Sequence, residues 1–268
     1  MDDLESLAAA IERAETAVAF TGAGISAPSG VPTFRGDDGV WDRFDEGQFT
    51  YGRFRSDPEG FWEDRIELQR VMFDGEYEPN AGHEALADLG QTGHLEAILT
   101  QNTDGLHWDA ADSRRNGDDS ASELATEHGH DGTEILELHG NARRVRCVDC
   151  GNRRDGDPVF ERAADGERPP RCDCGGVFKP DVVLFGEQLP GAVIQRARSL
   201  ARESDVFLAV GSSLVVEPAA SLPRLAASAG ATVAVVNLES TPCDSIADVV
   251  CQADVTDVLP RLRDLVES

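Results

Sequence analysis

The sequence has no long apolar run. No stretch approaches the roughly 18 consecutive apolar residues of a membrane span, which argues against a membrane protein. The first residues, MDDLESLAAAIERAE, are acidic and lack the basic start and apolar centre of a signal peptide. They predict instead an amphipathic helix with Leu4, Leu7, Ala8 and Ile11 on one face. We therefore expect a cytoplasmic protein.

Basic residues are scarce: 24 lysines and arginines stand against 50 aspartates and glutamates, for a net charge of -26. Such a surface repels nucleic acid, and no local basic patch offsets it, so direct nucleic-acid binding is not expected. A disordered acidic chain would carry such a charge, but 40% hydrophobic residues are enough for a core. We favour a folded, halophilic protein from a salt-saturated cytoplasm, where the repulsion is screened.

Short apolar runs alternate with helical patterns. The runs typical of buried strands are residues 17–20, 95–100, 205–210 and 232–237. The helical patterns are residues 80–89, 192–203, 219–229 and 258–266, the last with Thr256 as its N-cap. This alternation predicts an α/β fold with a doubly wound, Rossmann-like parallel sheet. Ligands of such sheets bind beyond the carboxyl ends of the strands.

Some stretches do not fit this sheet. Residues 36–78, rich in aromatics and charge, predict an inserted helical and loop module, and residues 143–178 predict a small cysteine-bearing module. The polar, acidic segment 109–133 predicts a surface loop without chemistry of its own. Together with the Rossmann-like domain they would form one catalytic unit over residues 1–268. That domain would comprise residues 1–35, 79–142 and 179–268.

A glycine-rich motif follows the first predicted strand and consists of Gly22, Ala23, Gly24, Ile25 and Ser26. Its glycines can admit a phosphate to the backbone amides. The prolines that follow, at positions 28 and 32, stop the helix that a dehydrogenase would continue. Further on, Arg35 can grip a phosphate and Phe34 can cover a nicotinamide ring. Taken alone, the motif fits an ordinary glycine turn with a surface arginine equally well.

Polar residues also follow the other predicted strands. They are Gln101, Asn102, Thr103 and Asp104 after the second run, Gly211, Ser212 and Ser213 after the third, and Asn237, Leu238 and Glu239 after the fourth. Because strand ends meet at one edge of a parallel sheet, we expect the groups after the first three runs to converge on one crevice. An amide and a carboxylate there can orient nicotinamide and a water molecule, although single polar residues also cap turns.

A histidine, His139, follows the apolar ILEL run. A lone histidine at a strand end is usually structural. Beside a nucleotide crevice, however, imidazole is the side chain suited to accept a proton near neutral pH. We predict that His139 and Asn102 are the catalytic residues.

Four of the 6 cysteines form two tight pairs, Cys147 with Cys150 and Cys172 with Cys174. Two such pairs separated by a loop indicate a closed four-thiolate Zn²⁺ site with a structural role. Disulfides are not expected in a reducing cytoplasm.

In this order, GAGISAPSGVPTFRG, TQNTDGLH, LHGN, the paired cysteines, KPDVVLFGE and GSSLVVEPAA resemble the sirtuins, which are NAD-dependent protein deacylases. The resemblance runs from about Val18 to Leu262 and implies NAD as co-substrate and a structural zinc ion. It implies that an acyl-lysine peptide or protein gives its acyl group to ADP-ribose while nicotinamide leaves. His139 would deprotonate a ribose hydroxyl, and the glycine motif and strand ends would hold the dinucleotide.

The resemblance also implies contacts that the residues alone do not predict. Val255 would be an adenine contact. The peptide would add as a strand beside Val183, Phe185 and Gly186. Trp62 and Arg65 stand where relatives specific for acidic acyl groups carry a Tyr-x-x-Arg pair, and the missing tyrosine hydroxyl favours neutral groups such as acetyl.

Three alternatives remain at this point. The same site would serve a desuccinylase or a mono-ADP-ribosyltransferase. A non-catalytic, NAD-binding regulatory module is a further alternative, although the presence of His139 and Asn102 opposes it. An ordinary dehydrogenase is disfavoured because the helix after the glycine motif is broken.

Overall fold

The computed structural model describes residues 3–34, 39–73, 75–113 and 133–268. In these ranges the strands are β1 (Ala17–Thr21), β2 (Ala97–Thr100), β3 (Glu134–Glu137), β4 (Gly140–Cys147), β5 (Arg153–Asp155), β6 (Phe178–Val182), β7 (Val206–Val210), β8 (Thr232–Val236) and β9 (Val249–Cys251). The helices are α1 (Asp3–Arg13), α2 (Ala23–Ser26), α3 (Tyr51–Ser56), α4 (Pro58–Phe73), α5 (Ala81–Gln91), α6 (Leu106–Ser113), α7 (Asp157–Ala164), α8 (Gly191–Glu203), α9 (Leu222–Ala229) and α10 (Val255–Val266). None of the helices in these ranges combines the length and apolarity needed to cross a membrane.

The main sheet is parallel throughout, with strand order β3-β2-β1-β7-β8-β9. From β1 the chain builds outward on one side through β2 and β3, and later on the other side through β7, β8 and β9. The order therefore reverses between β1 and β7, which is where open α/β sheets form their ligand crevice. The predicted doubly wound, Rossmann-like fold is confirmed.

Both faces of this sheet are covered, so its central strands are continuously apolar rather than alternating. On one face the core includes Leu7 of α1, Leu86 of α5 and Leu259 of α10. On the other it includes Leu200 of α8 and Leu222 of α9. The predicted apolar face of α1 is confirmed, because the four residues named for it are its buried residues.

Two local predictions differ from the structure. Helix α10 begins at Val255, and its N-cap is Asp254, whose carboxylate accepts a hydrogen bond of 2.8 Å from Thr256 N. Thr256 is therefore not the cap, because the aspartate two residues earlier reaches that amide first. Residues 109–113, expected in the acidic loop, form the end of α6. Residues 114–132 of that segment lie outside the described residues.

The cysteine-bearing module contains the antiparallel sheet β5-β4-β6 and α7. Its sheet is wider than the predicted boundaries of 143 and 178, since β4 begins at Gly140 and β6 ends at Val182. It shares one hydrophobic core with α3 and α4, built around Trp62, Phe160 and Phe178. Trp62 Nε1 donates to Phe178 O at 3.0 Å. The two insertions therefore form one small lobe beside the main sheet.

Candidate active site

The glycines after β1 and β7 let two strand ends touch. Gly24 N donates to Gly211 O at 2.7 Å. A Cβ on Gly24 would lie 2.8 Å from Gly211 Cα, and Gly211 has φ of +57°. A side chain at either position would separate the strand ends, so the glycines serve backbone packing as well as any phosphate. Ile25, by contrast, is buried in the core beneath the sheet edge.

A third strand end joins these two through Gln101. Its backbone N donates to Thr21 O at 2.9 Å, and its Oε1 accepts from Ser212 Oγ at 2.8 Å. The ends of β1, β2 and β7 are thus held together by hydrogen bonds. The convergence expected from the sequence is confirmed for these three strand ends.

A pocket opens at this junction. Its lining comes from the loop after β1, the end of α4 and the loop after β2: Ala23, Ser26, Val31, Pro32, Phe34, Met72, Phe73, Asn102, Thr103 and Asp104. Six of these residues were predicted to bind the cofactor. The other four, Val31, Pro32, Met72 and Phe73, were not predicted as contacts. Met72 and Phe73 were missed because nothing in the sequence shows that the end of α4 reaches the main sheet. The predicted phosphate ligand Arg35 lies outside the described residues.

Asn102 is held so that one polar atom stays available. Its Nδ2 donates to Gly22 O at 3.1 Å and to Ser26 Oγ at 2.9 Å, and its backbone N donates to Thr100 Oγ1 at 3.0 Å. Both amide hydrogens are therefore used within the protein. The carbonyl oxygen Oδ1 is the group left to accept a hydrogen bond from a ligand.

Asp104 is a buried carboxyl group at the same pocket. Burial raises its pKa, while hydrogen bonds from Leu106 N, at 2.9 Å, and from the Ser26 hydroxyl act in the opposite direction. The net effect is a raised pKa. A carboxyl group in this state can hold a proton more readily than a surface aspartate.

His139 lies between β3 and β4, half buried, with Nδ1 3.1 Å from Gln101 O. A carbonyl oxygen only accepts, so Nδ1 carries the proton and Nε2 has the free lone pair. Burial lowers the pKa of His139, and the hydrogen bond to Gln101 opposes that shift. The imidazole is consequently neutral near pH 7 and able to take up a proton at Nε2.

The four paired cysteines converge in the small lobe. Their Sγ atoms all lie within 4.8 Å of one another, with 3.5 Å between Cys147 and Cys174 and 3.8 Å between Cys150 and Cys172. A tetrahedral Zn²⁺ with Zn–S bonds of about 2.3 Å separates its sulfur ligands by about 3.8 Å. The geometry therefore fits a four-thiolate zinc site without an open position.

The second cysteine pair is short, and a glycine turn closes it. Gly175 has φ of +90°, and a Cβ on Gly176 would lie 2.7 Å from Cys147 Sγ. Gly176 N lies 3.4 Å from Cys174 Sγ, which it can stabilise as a thiolate. The single-residue spacing thus still brings both sulfurs to the site.

Comparison with known proteins gives the family. Residues 22–117 and 119–218 match the sequence model of the Sir2 family. The chain belongs to the Sir2 family. An NAD-dependent protein deacetylase of Haloarcula marismortui is 53% identical over 263 residues, covering 97% of this chain and 94% of that protein. The NAD-dependent protein deacylase 2 of Archaeoglobus fulgidus is 40% identical over 263 residues, covering 97% and 95%.

A solved structure of Sir2 with a p53 peptide and NAD+ matches this sirtuin with a TM-score of 0.79 at 31% identity, covering 97% of each chain. The similarity therefore extends over both lobes and the pocket between them.

The predicted peptide segment of this sirtuin lies beside His139. Val183 N donates to His139 O at 2.8 Å, and Phe185 N donates to Phe49 O at 3.2 Å. Gly186, with φ of +76°, is exposed at the end of the segment. The segment therefore continues β6 from the small sheet to a position directly behind the histidine.

Of the residues predicted for the adenosine side of this sirtuin, several are exposed and one is buried. Leu238 is 65% exposed, and Asn237 Nδ2 donates to Glu239 O at 2.8 Å, which shapes the loop after β8. Ser213 is exposed as well. Val255 is 3% exposed and packs in the core, so its side chain does not line the crevice.

Two buried histidines that the sequence analysis gave no role lie behind the pocket. His83 Nδ1 accepts from Asn80 N at 3.4 Å, so His83 Nε2 carries the proton and faces Ser26 Oγ at 3.3 Å. The ring centroids of His83 and the second histidine, His107, lie 4.9 Å apart. The helical pattern over residues 80–89 was visible in the sequence, but the burial of His83 beside Ser26 was not.

The second histidine, His107, is linked to Asn102 through the hydroxyls of Thr21 and Thr100. Thr21 Oγ1 donates to Thr100 Oγ1 at 2.8 Å, so His107 Nε2, 2.9 Å from Thr21 Oγ1, must be its donor. Thr100 Oγ1 also accepts from Asn102 N. His107 Nδ1 has no partner among the described residues, and a second proton there would lack an acceptor. The network requires both histidines neutral.

This sirtuin should therefore lose stability as the pH falls toward 5. Burial lowers the pKa of His83 to about 4 and that of His107 well below its ordinary value, so the unfolded chain binds protons that the folded chain does not. The stabilisation is complete above about pH 6.5 and declines below it. Between pH 7.5 and 5 the free energy of unfolding should fall by roughly 2 kcal/mol through His83 alone.

Urea unfolding at the two pH values measures this difference. In His83→Asn the dependence on pH should weaken by that amount, whereas the half-buried His94, replaced by Asn, should leave it unchanged. Equal slopes in the wild type and His83→Asn would contradict the assignment.

Proposed function

We propose that this sirtuin is an NAD-dependent protein-lysine deacetylase, which transfers the acyl group to ADP-ribose and releases nicotinamide. The observation that carries the proposal is the neutral His139, fixed through Nδ1 on Gln101 O at the junction of three strand ends. Its free Nε2 supplies the general base that this chemistry needs. Homologues described as NAD-dependent deacetylases over nearly the whole chain support it.

In the proposed mechanism, NAD supplies the electrophilic ribose carbon, and the carbonyl oxygen of the acyl-lysine attacks it as nicotinamide leaves, so the protein needs no nucleophile of its own. The Asn102 carbonyl oxygen and the Asp104 carboxyl group orient the nicotinamide end and a water molecule. His139 Nε2 removes a proton from a ribose hydroxyl, which then bonds to the acyl carbon. Addition of water breaks the bond from that carbon to the lysine nitrogen, so that free lysine and O-acyl-ADP-ribose are released. The backbone amide of Ala23 and the exposed hydroxyl of Ser213 contact the phosphates. Gly22, Gly24 and Ser212 shape this surface instead, because their donors are bonded to Val210 O, Gly211 O and Gln101 Oε1.

The remaining contacts are proposed in the same way. Thr103 completes the nicotinamide side, with Phe34 over the ring. Ile25 supports the turn, since its backbone N donates to Gly22 O and its backbone O accepts from Asn80 Nδ2. Glu239 holds ribose hydroxyls, beside Asn237 and Leu238. The segment containing Val183, Phe185 and Gly186 pairs with the main chain of an acyl-lysine peptide. Structures of Sir2 with peptides support this placement.

We propose acetyl, rather than succinyl, as the preferred acyl group. Arg65 is 4% exposed, and its guanidinium lies 5.4 Å over the ring of Phe160 in the small lobe. Trp62 is turned to Phe178 O. Neither lines the pocket, and the described lining residues include Asp104 but no cation. The described lining of the pocket therefore offers an acidic acyl group no cation with which to pair.

Acetylated and succinylated versions of one peptide, incubated with the protein and NAD, test both proposals. We expect nicotinamide release and peptide deacetylation, with turnover of the acetyl peptide at least about tenfold above that of the succinyl peptide. Comparable or faster succinyl turnover would reject the acetyl preference. ADP-ribose attached to protein, NADH formation, or NAD binding without turnover would each reject deacetylation.

We also propose a cytoplasmic location in a salt-rich cell. The net charge of -26 supports this, because such self-repulsion is tolerable when salt screens it. The similarity to a protein from Haloarcula marismortui points the same way.

A further inference from the structure

One carboxylate joins the two lobes next to the histidine. Glu137 is the last residue of β3, and its side chain is 11% exposed. Its Oε1 accepts from Trp108 Nε1 at 3.0 Å and from Asn141 Nδ2 at 2.6 Å, while Oε2 is paired with Arg144. Glu137 therefore ties α6 of the main domain to β4 of the small sheet.

The same network extends across the small sheet. Arg144 Nε lies 3.6 Å from Asp181 on β6, and Arg153 on β5 donates to Asp181 at 2.9 Å. Arg146 Nε is 3.8 Å from the other Asp181 oxygen. Three guanidinium groups thus share Asp181 and Glu137. Without the charge of Glu137, all three would depend on the single carboxylate of Asp181.

The chain crosses between the lobes at His139 and Gly140. Gly140 has φ of +79°, and a Cβ there would lie 2.0 Å from Asp181 O, so only glycine fits at this position. The crossing therefore has no side chain at residue 140 that could fix its angle. Beyond the crossing, β4 pairs with β6 from Gly140 opposite Val182, and Val183 N bonds to His139 O. The angle of the crossing therefore sets how the segment 183–186 lies relative to the histidine.

We propose that Glu137 is a positioning residue: its carboxylate fixes the angle between the lobes and so places the peptide segment 183–186 against His139. The inference rests on the proposed deacetylase function. It does not involve Glu137 in proton transfer, because its oxygens are occupied by Trp108, Asn141 and Arg144.

The strand supplies a matched control. Glu134 lies on β3 too, its side chain is 10% exposed, and it pairs with an arginine, Arg196 of α8, at 2.7 Å. That pair stays within the main domain. Glu137→Gln and Glu134→Gln therefore remove the same charge from the same strand, but only the first loosens the connection between the lobes.

We expect Glu137→Gln to lower kcat/KM for an acetylated peptide by about 10- to 100-fold, as small displacements of reacting groups do. The peptide KM should rise, and fluorescence anisotropy without NAD should show weaker peptide binding. The KM for NAD should stay within about twofold, since the strand ends that form the pocket keep their bonds. Glu134→Gln should stay near the wild type in all three measurements. The double variant Glu137→Gln/Arg144→Gln should recover part of the loss, because it also removes the unbalanced guanidinium.

These measurements distinguish a failure of the proposed deacetylase function from a failure of the proposed positioning role of Glu137. A wild type that does not deacetylate rejects the proposed function. An active wild type in which Glu137→Gln and Glu134→Gln share the same peptide KM and affinity overturns the positioning role, whatever their melting temperatures. If Glu137→Gln does not fold, Arg144→Gln, whose side chain is 36% exposed, replaces it with the same expected rise in peptide KM. An unchanged peptide KM in Arg144→Gln would likewise overturn the proposal.

Discussion

The His139→Ala variant is expected to lose about 10²- to 10⁴-fold in the rate of peptide deacetylation, the usual contribution of a general base. The structure gives the reason. Nδ1 is held by Gln101 O, so Nε2 is the single basic nitrogen, and burial keeps the ring neutral near pH 7. Alanine leaves no group at this place to remove a proton from a ribose hydroxyl. The rate of deacetylated peptide formation measures the effect.

Two further measurements make this prediction specific. NAD affinity should change only a few-fold in His139→Ala, because the glycine contacts of β1 and β7 do not involve the ring. Exchange of labelled nicotinamide into NAD in the presence of peptide should persist, since departure of nicotinamide precedes the proposed proton removal. His94→Ala, a substitution of a half-buried histidine in the turn after α5, serves as the control. Full deacetylation by His139→Ala would refute the base assignment.

The second large effect is expected from the cysteine site. Cys172→Ser should abolish binding of one Zn²⁺ per chain, lower the melting temperature by roughly 10 °C or more, and remove peptide deacetylation. Cys147 and Cys172 are buried in the core that the small lobe shares with α3 and α4, so the loss of the metal should disorder that core. Metal analysis and thermal unfolding measure these changes, with the unfolding followed by the fluorescence of the three tryptophans, of which Trp62 lies in this core.

Cys251→Ser provides the matched control, because Cys251 is half buried and lies on β9, away from the cluster. It should retain one Zn²⁺ and near-wild-type stability. Zinc bound equally by Cys172→Ser and the wild type would contradict the four-thiolate assignment, as would activity that survives complete removal of the metal by a chelator.

Several parts of the fold were predictable because their signals are local. The strands β1, β7 and β8 are continuous apolar runs, as buried parallel strands require. Spacing placed the four cysteines in one site. Boundaries were less accurate, as at α10, where Asp254 rather than Thr256 caps the helix. Cap choice depends on which carboxylate or hydroxyl reaches the free amides first, and that is a matter of backbone geometry.

The pocket shows where prediction from the sequence ended. Met72 and Phe73 line it because the end of α4 packs toward the main sheet, a long-range contact that no local pattern encodes. His107 stands within a quoted motif, but its role became visible only through its hydrogen bond to Thr21. For Val255, by contrast, the family resemblance implied an adenine contact, but the side chain is buried in the core. Similarity of letters does not say whether a side chain faces the crevice.

By itself the sequence determined the alternation of β1, β2, β7 and β8 with helices, the glycines that let strand ends meet, and a thiolate set for zinc, since periodicity, steric demand and ligand spacing act over a few residues. Only the tertiary structure decided which nitrogen of His139 is free, which histidines are kept neutral, and how Glu137 joins the two lobes. These properties arise from burial and from hydrogen bonds between residues distant in the chain, and they exist only once the lobes have packed.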